Sequence, residues 1–280
     1  MRIARFGSIG AERVALVDAT GNLRDASDHV ADICAANLDH ALKVLSAIDP
    51  ADLPVVPADA RIGACIGGVG KFVCIGLNYH DHAREAGREI PTEPVIFMKA
   101  TSAICGADDP FEIPRGASQC DWEVELGVIM GKRAKYVDQA AALDYVAGYC
   151  TINDGSERHF QSHRQGQWTK GKSHDSFGPI GPWFVTADDV PDPQALRVTC
   201  DVDGVRYQDG STADMIFPVA EIVSYLSQFM TLMPGDIIAT GTPAGVGLGV
   251  KPEPVYLRAG QVLEVEVEGL GRQRHMVVTA

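Results

Sequence analysis

The sequence lacks the features that mark secreted, zinc-binding and membrane-spanning proteins. Its seven cysteines form no CxxC pair, which disfavours a zinc ribbon or a disulfide framework and favours a reducing compartment. No apolar run approaches the roughly 18 residues that cross a bilayer, and the N-terminal residues lack the apolar segment of a signal peptide. These absences predict a cytoplasmic protein.

Positive charge is also scarce. The chain has 24 lysines and arginines against 37 aspartates and glutamates, for a formal net charge of −13. This excess of negative charge disfavours nucleic acid and anionic membrane surfaces as partners. An anionic substrate would need a local cation here, which a bound metal ion would supply. At 280 residues and 46% hydrophobic content, the chain can bury a large core.

Two units are predicted along the chain. Residues 1–68 read as a small N-terminal α+β lobe, with short strands up to about residue 26 and a helix from Asp28 to about Ile48. The prolines that follow, at positions 50, 54 and 57, predict a linker. Residues 69–280 form the predicted catalytic domain.

Strand patterns dominate that second unit. Apolar runs at 71–76 and 94–99, and a hairpin turn at Asp203-Gly204, predict strands. Helical spacing is confined to a short segment that ends at Gly87, to Asp138–Val146 and to Phe217–Leu232. Because strands and helices do not alternate regularly, the pattern favours a β-rich α+β architecture over a doubly wound sheet.

One stretch, DWEVELGVIMGK at 121–132, carries the strongest chemical signal. It alternates with period two, so Glu123 and Glu125 leave the backbone on the same face. A second apolar segment ends at Asp154. If the two strand ends are neighbours, three carboxylates converge, and each pair about 4 Å apart repels by roughly 4 kcal/mol. A hard divalent cation would relieve that repulsion. The alternative is the solvent-exposed face of a half-buried strand.

Two further patterns bear on catalysis. His82 and Glu85 are three residues apart and share a helix face, either as a general base with its orienting carboxylate or as a simple surface pair. The glycine-rich loop TGTPAGVG at 240–247 is either a structural turn or a place where a ligand approaches backbone amides.

The segment GQWTKGKS at 166–173 matches the phosphate-loop pattern letter for letter. That loop requires a buried strand before it and a helix after it. Polar residues precede this segment, and two glycine-proline pairs follow it. We therefore predict no nucleotide site, and we interpret Lys172 as a cation that faces the carboxylates.

Taken together, the motifs GLNYHDHARE, PVIFMK, DWEVELGVIMGK, INDGSERHFQ, WTKGKS and GDIIATGTPAGVG resemble the fumarylacetoacetate hydrolase family over most of residues 71–280. The resemblance implies a mixed β-sandwich roll, a homodimer, and one Mg²⁺ or Mn²⁺ per chain held by Glu123, Glu125 and Asp154. It implies that His82 is the base and Glu85 its orienter, on a lid, with Lys172 stabilising an enolate. Substrate contacts are implied for Arg158, Gln161, Lys172, Thr242 and Lys99.

The implied activity is hydrolysis of the C3–C4 bond of a 2,4-diketo acid to pyruvate and a carboxylic acid. The substrate would be an acylpyruvate or a 2,4-diketo-3-deoxy sugar acid such as the L-fuconate derivative. The alternatives are an oxaloacetate-type decarboxylase, a 2-oxo-diacid isomerase, a ureidoglycolate lyase, or a non-catalytic binder of keto acids. The sequence departs from the usual family pattern at Gly155-Ser156-Glu157 and at His174.

Overall fold

We describe the protein from a computed structural model that covers residues 1–280. Most of its regular structure is strand. In chain order the strands are β1 Arg2–Phe6, β2 Arg13–Val17, β3 Leu23–Asp25, β4 Phe72–Gly76, β5 Val95–Lys99, β6 Ile104–Cys105, β7 Phe111–Ile113, β8 Cys120–Asp121, β9 Val124–Met130, β10 Val146–Asn153, β11 Ser156–Glu157, β12 Gly178–Pro179, β13 Phe184–Thr186, β14 Arg197–Val202, β15 Val205–Ser211, β16 Ile237–Ala239, β17 Val262–Val267 and β18 Gly271–Thr279.

The α-helices are few and mostly short. They are α1 Leu38–Leu45, α2 His80–Glu85, α3 Arg158–Ser162, α4 Thr169–Lys172 and α5 Val219–Phe229. Single turns of 3₁₀ helix lie at Pro50–Asp52, Thr101–Ala103, Ala187–Asp189, Thr212–Asp214 and Gly247–Gly249, and a longer one lies at Gln139–Tyr145. None of these helices is long and apolar enough to cross a membrane.

Two large sheets form the body of the fold. The first has nine strands in the order β3-β2-β1-β13-β10-β9-β16-β4-β5, and the second has five in the order β15-β14-β17-β18-β7. Most neighbours are antiparallel, but β16 runs parallel to β4 and β18 parallel to β7. This mixed, β-rich arrangement confirms the predicted α+β sandwich-type architecture.

Both faces of the nine-stranded sheet are buried. On one face, Val124, Leu126 and Val128 of β9 pack in a core cluster with residues of the five-stranded sheet such as Cys200 and Val265. On the other face, a second cluster contains apolar residues from the N-terminal segment and from the central strands: Ile3, Ile33, Leu38, Leu45, Phe72, Cys74, Ile129 and Ile237. The segment that precedes β4 therefore acts as the second cover of the central sheet.

The first three strands belong to the main sheet. β1 pairs with β13 through Arg2↔Val185 and Ile3↔Phe184, and β2 and β3 extend the sheet outward from β1. The sheet and its core run across the predicted boundary at residue 68 without a break. That residues 1–68 and 69–280 form two separate units therefore stays a prediction.

The predicted helix from Asp28 to Ile48 is wrong in extent. Only Leu38–Leu45 is helical, although Val30 and Ile33 are buried as their spacing suggests. Asn37 explains the late start, because its side chain accepts a hydrogen bond from the Cys34 N–H and donates one to the Asp32 carbonyl. Such local side-chain bonds offer the backbone an alternative to the helix.

Two other predicted helices are shorter or of another type. The segment predicted over Asp138–Val146 forms the 3₁₀ helix Gln139–Tyr145. The predicted helix Phe217–Leu232 is α5, Val219–Phe229, and it begins after Pro218, which has extended dihedral angles. The remaining strand predictions, including the hairpin at Asp203-Gly204 between β14 and β15, agree with the structure.

Candidate active site and metal centre

Three carboxylates meet where neighbouring strands of the nine-stranded sheet begin and end. Glu123 immediately precedes β9, Glu125 lies in β9, and Asp154 follows β10, which is antiparallel to β9 with Asn153 opposite Val124. One oxygen of each side chain lies within 4.8 Å of the other two, and all three residues are buried. Glu125 is only 1% exposed, so this face of β9 is not the solvent-exposed face of a half-buried strand.

Buried cations surround this carboxylate trio. Lys172, at the end of α4, bridges two members, with Nζ 2.6 Å from Glu123 Oε2 and 2.6 Å from Asp154 Oδ2. Lys99, the last residue of β5, forms an ion pair with Asp154 and lies 3.1 Å from the carbonyl oxygen of Gly155. Glu125 has no ion-pair partner and accepts one hydrogen bond, from the Gly241 N–H at 2.7 Å.

The neighbours shift the protonation equilibria of these groups in opposite directions. Burial opposes ionisation of Glu123, but attraction to Lys172 and Arg158 outweighs it and lowers the pKa of Glu123 to about 2. Burial raises the pKa of Glu125 well above its ordinary value, and the charges of Asp154 and Glu123 raise it further. Burial alone would lower the pKa of Lys172, yet Asp154 and Glu123 raise it. Glu125 is therefore the member of the trio whose ionisation is least favoured, and Glu123 the one whose ionisation is stabilised.

The donor set fits a hard divalent cation. Carboxylate oxygens are the ligands that Mg²⁺ and Mn²⁺ prefer, and the cluster contains no thiol or imidazole donor. The raised pKa of Glu125 is the local sign that one more positive charge would be stabilised there. Glu123, Glu125 and Asp154 are the residues that would hold such an ion.

The predicted dyad faces the same cavity. His82 and Glu85 both lie in α2, and Nδ1 of the imidazole is 3.2 Å from Oε2 of the carboxylate. A carboxylate only accepts hydrogen bonds, so this contact keeps the proton on Nδ1 and leaves Nε2 as the basic nitrogen. The second carboxylate oxygen of Glu85 accepts a hydrogen bond from the Gly245 N–H at 2.9 Å.

The glycine-rich loop after β16 contacts Glu85, the carboxylate of this dyad. A Cβ atom on Gly249 would lie 2.2 Å from Cδ of Glu85, so only glycine allows the carboxylate to approach the loop so closely. Gly245 has φ +103°, a conformation that L side chains rarely adopt, and it donates to Glu85. These two glycines hold the orienting carboxylate in place by backbone contacts.

Arg158 connects the trio to a fourth buried acid. Its Nε lies 2.7 Å from Asp121 Oδ2 and its Nη1 lies 2.7 Å from Glu123 Oε1. The same Nη1 donates to Gln161 Oε1 at 3.2 Å, and both Arg158 and Gln161 line the cavity. Nη2 of Arg158 is buried and has no hydrogen-bond partner within the protein. Leaving such a donor unpaired is costly.

Of the two remaining predicted substrate contacts, Thr242 lines the cavity and Lys99 does not. Thr242 lines the cavity, although its hydroxyl already donates to the Val124 carbonyl at 2.8 Å and accepts from Gln208 Nε2. Lys99 does not line the cavity, because its side chain is fully buried against Asp154 and Gly155. The structure thus gives Lys99 a place behind a candidate metal ligand, and the predicted direct contact with substrate does not fit its position.

Not every residue of the polar cluster after β10 reaches the site. Glu157 caps α3 by accepting from the Phe160 N–H at 2.6 Å, and it also binds the backbone of Gln119. The segment that resembles a phosphate loop contains only the four-residue helix α4, and Lys172 is held by carboxylates. Ser173 accepts a hydrogen bond from the Ala100 N–H. This geometry differs from that of a phosphate-binding loop.

The site opens into a cavity of about 540 Å³. The trio lies at its buried end, while α2, the loop after β16 and the segment around Trp168 form its walls. Gly76 makes room for one wall, since a Cβ there would lie 2.7 Å from the ring of Trp168. The cavity is large enough for a small organic acid.

Sequence reasoning missed two kinds of residue. Asp121 belongs to the same alternating series as Glu123 and Glu125, and that spacing could have identified it. It is fully buried and accepts from the Gly247 and Leu248 N–H groups as well as from Arg158. Trp168, Arg88 and Lys251 also line the cavity, but no sequence pattern marks them.

The chain resembles known proteins in sequence. The sequence profile of the family "Fumarylacetoacetate (FAA) hydrolase C-terminal" matches residues 71–278. A Burkholderia cenocepacia protein, which bears only a provisional name as a hydrolase, is 58% identical over 274 residues, covering 98% of this chain and 97% of the relative.

Three solved structures also resemble the chain over its whole length. Fumarylacetoacetate hydrolase from Exiguobacterium antarcticum superposes with a TM-score of 0.89 at 36% identity, covering 100% of both chains. Maleylpyruvate hydrolase from Sphingobium sp. SYK-6, solved with manganese(II) and pyruvate, has a TM-score of 0.81 at 28% identity, also covering 100% of both chains. 2-Hydroxyhepta-2,4-diene-1,7-dioate isomerase from Mycobacterium marinum has a TM-score of 0.76 at 34% identity, covering 100% of this chain and 98% of the other.

Proposed function

The chain belongs to the fumarylacetoacetate hydrolase family, and from this premise we propose that it is a divalent-metal-dependent hydrolase of 2,4-diketo acids. It would cleave the C3–C4 bond of an acylpyruvate-type substrate and release pyruvate and a carboxylic acid. One observation carries the proposal: a histidine oriented by a carboxylate and a trio of buried carboxylates line the same cavity. Hydrolysis requires both a base for water and a site that polarises the keto acid.

Mg²⁺ or Mn²⁺, one per chain, fits the oxygen donors of Glu123, Glu125 and Asp154. When bound, such an ion would polarise the 2-oxo and carboxylate oxygens of the substrate and stabilise developing negative charge there. The manganese and pyruvate found in the Sphingobium maleylpyruvate hydrolase support this choice.

The chain's own residues would perform the proton transfers. His82 Nε2 would accept a proton from the water that attacks the C4 carbonyl, while Glu85 holds the imidazole by its Nδ1–H. The C3–C4 bond would then break with its electron pair remaining on C3. The Lys172 ammonium, which lies against Glu123 and Asp154, would stabilise the resulting pyruvate enolate, and protonation at C3 would complete the reaction. Arg158 and Gln161, which line the cavity, would orient the substrate's oxygens.

A second function uses the same site without water attack. The likeness to an isomerase from Mycobacterium marinum favours tautomerisation of an unsaturated 2-oxo diacid, and loss of CO₂ from an oxaloacetate-type substrate would proceed through the same enolate. In both cases His82 would transfer a proton to or from carbon. These reactions differ from hydrolysis in their products.

Product analysis tests the proposal. We expect protein loaded with Mg²⁺ or Mn²⁺ to convert acylpyruvates to pyruvate and one equivalent of carboxylic acid. In water labelled with heavy oxygen, the label should enter the new carboxylate. Release of CO₂ from oxaloacetate, or an isomer without label, in the absence of acylpyruvate cleavage would reject hydrolysis in favour of the second function.

We further propose that the protein acts as a homodimer in the cytoplasm. Seven free cysteines support a reducing compartment. Large exposed apolar side chains, such as Tyr136 at 66% and Phe229 at 64% exposure, are available for a subunit interface. Light scattering during size-exclusion chromatography tests the dimer, and a monomer mass at micromolar concentration would reject it.

A further inference from the structure

One aromatic side chain in an exposed stretch of the chain turns into the cavity. Residues 162–170 lead from the end of α3 into α4, and all of them are exposed except Trp168. Trp168 is half-buried and lines the cavity. The indole therefore joins this exposed connection to the body of the protein.

The indole occupies a gap that only glycine leaves. Gly76 is the last residue of β4, and a Cβ atom there would lie 2.7 Å from Cζ3 and 3.1 Å from Cη2 of Trp168. The φ of Gly76 lies outside the left-handed region, so alanine would suit the backbone and only the indole would obstruct it. Phe97, on the neighbouring strand β5, forms the second side of this recess. Its ring centroid lies 5.3 Å from that of the indole, with the two planes at 64°.

Phe97 also contacts Lys172, the cation that bridges two carboxylates of the trio. Lys172 Nζ lies 5.1 Å from the centroid of the Phe97 ring. Trp168 and Lys172 are four residues apart in one helical turn, in which the Gly171 N–H donates to the Trp168 carbonyl at 2.9 Å. Side chains at this spacing lie on the same face of a helix. A single aromatic ring therefore contacts both the indole and the ammonium.

We infer that Trp168 is a positioning residue for Lys172 and that it acts through Phe97. The indole, seated on Gly76, keeps the phenyl ring against the ammonium, and this cation–π contact favours Lys172 at the carboxylates over Lys172 in the water of the cavity. The inference rests on the proposed function only for the consequence of displacing Lys172, which is weaker stabilisation of the enolate.

The accessibility of Lys172 tests the inference without catalysis. Lys172 is only 2% exposed, so an amine-reactive reagent should label it slowly in the Mn²⁺-loaded protein. We expect Trp168→Ala to raise the labelling rate of Lys172 by about 2- to 30-fold, the factor that corresponds to one cation–π contact. Mass spectrometry of the labelled peptides measures this rate. Trp168→Phe, which keeps an aromatic ring, should restore most of the protection.

Gly76→Ala displaces the indole without changing it. This variant should label Lys172 as fast as Trp168→Ala does, and its tryptophan emission should shift to longer wavelength as the indole moves into water. Because both substitutions remove the same contact, the double variant G76A/W168A should label Lys172 no faster than either single variant.

Thr169 provides the matched control within the same helical turn. It is exposed, it does not line the cavity, and its hydroxyl donates to the Met98 carbonyl of β5 at 3.3 Å. Thr169→Ala should leave the labelling of Lys172 unchanged. This control separates the effect of the indole from a general loosening of α4.

Kinetics with the substrate of the proposed reaction give a second measurement. Trp168→Ala and Gly76→Ala should lower kcat by a similar factor of about 2 to 30, and Trp168→Phe should remain close to the unaltered protein.

Unchanged labelling of Lys172 in Gly76→Ala would overturn the positioning role, and this variant decides the matter if Trp168→Ala does not fold. Additive effects in the double variant would overturn it as well, as would an effect of Thr169→Ala as large as that of Trp168→Ala. If labelling responds as expected but the unaltered protein cleaves no acylpyruvate, the hydrolase proposal fails and the positioning of Lys172 by Trp168 stands.

Discussion

Asp121 and Arg158 form a buried ion pair behind the carboxylate trio, with Arg158 Nε 2.7 Å from Asp121 Oδ2 and the aspartate side chain fully inaccessible to solvent. Asp121 also accepts hydrogen bonds from the Gly247 and Leu248 N–H groups. One carboxylate thus fixes both the guanidinium that contacts Glu123 and the loop whose Gly249 packs on Glu85. This arrangement couples the two halves of the candidate site.

Asp121→Asn should therefore weaken both the fold and the reaction. The amide would remove the negative charge opposite the buried guanidinium, which typically costs about 3–5 kcal/mol. We expect a loss of this size in the free energy of unfolding, measured in urea, together with a lower kcat/KM. Asp209→Asn, in the exposed pair with Arg197, is the control and should change stability by less than about 1 kcal/mol. Equal losses in both variants would contradict the role of Asp121.

Glu125→Gln should make the metal-free protein more stable, on the order of 1 kcal/mol at neutral pH. The pKa of Glu125 is raised in the folded state, so between its unfolded and folded pKa values the native protein binds more protons than the unfolded chain. Stability with chelator present should consequently fall as pH rises above about 4.3, and this slope should be smaller in the variant. Denaturation curves recorded from about pH 5 to pH 8 measure the difference.

The same variant should lose its response to metal. A ligand at 100 times its Kd stabilises a protein by about 2.7 kcal/mol. We expect Mn²⁺ to raise the Tm of the unaltered protein and to leave that of Glu125→Gln nearly unchanged. A full response in the variant would remove Glu125 from the ligand set.

His82→Ala should lower kcat by about 10²- to 10⁴-fold, the usual contribution of a general base. Metal affinity and KM should change little, because the imidazole lies outside the carboxylate trio. His80, exposed and two residues away in α2, provides the control, and His80→Ala should retain activity. Steady-state kinetics with an acylpyruvate, or with the substrate identified by product analysis, would detect the contrast. Full activity of His82→Ala would refute the assignment of the base.

Gly249→Ala tests the contact between the loop and the dyad. The added Cβ would lie 2.2 Å from Glu85 Cδ, so the carboxylate must move away from its position. We expect kcat to fall by a factor similar to that of Glu85→Gln, with metal binding retained, as measured by kinetics and calorimetry. An unchanged kcat would show that the orientation of Glu85 does not depend on this loop.

The sequence predicted that the three carboxylates converge, but it did not predict how deeply they are buried. Period-two spacing placed Glu123 and Glu125 together, and a strand end placed Asp154 beside them, as the structure shows. The burial of both faces of β9 was not predictable, because it depends on a cover that precedes β4 in the chain. The same holds for Lys99, whose ion pair with Asp154 joins the edge strand β5 to the residue after β10, four positions away in the same sheet.

Local hydrogen bonding explains why the first helix starts later than predicted. The apolar spacing at 30–45 correctly indicated buried residues, but Asn37 delays the helix until Leu38. The glycines of the loop after β16 were visible in the sequence. Their partner was not, because Glu85 comes from an element 160 residues earlier. Contacts over such separations are set by topology, which a single sequence does not display.

The pairing of β1 with β13 has a consequence for shortened forms of the protein. A chain cut before residue 69 would keep every proposed catalytic side chain, yet it would leave β13 with an open edge and Phe72, Cys74 and Ile237 without their covering layer. Open edges and bare apolar faces recruit other strands. Such a fragment should aggregate during refolding. A shortened active form of the protein should therefore retain residues 1–68 and lose other segments.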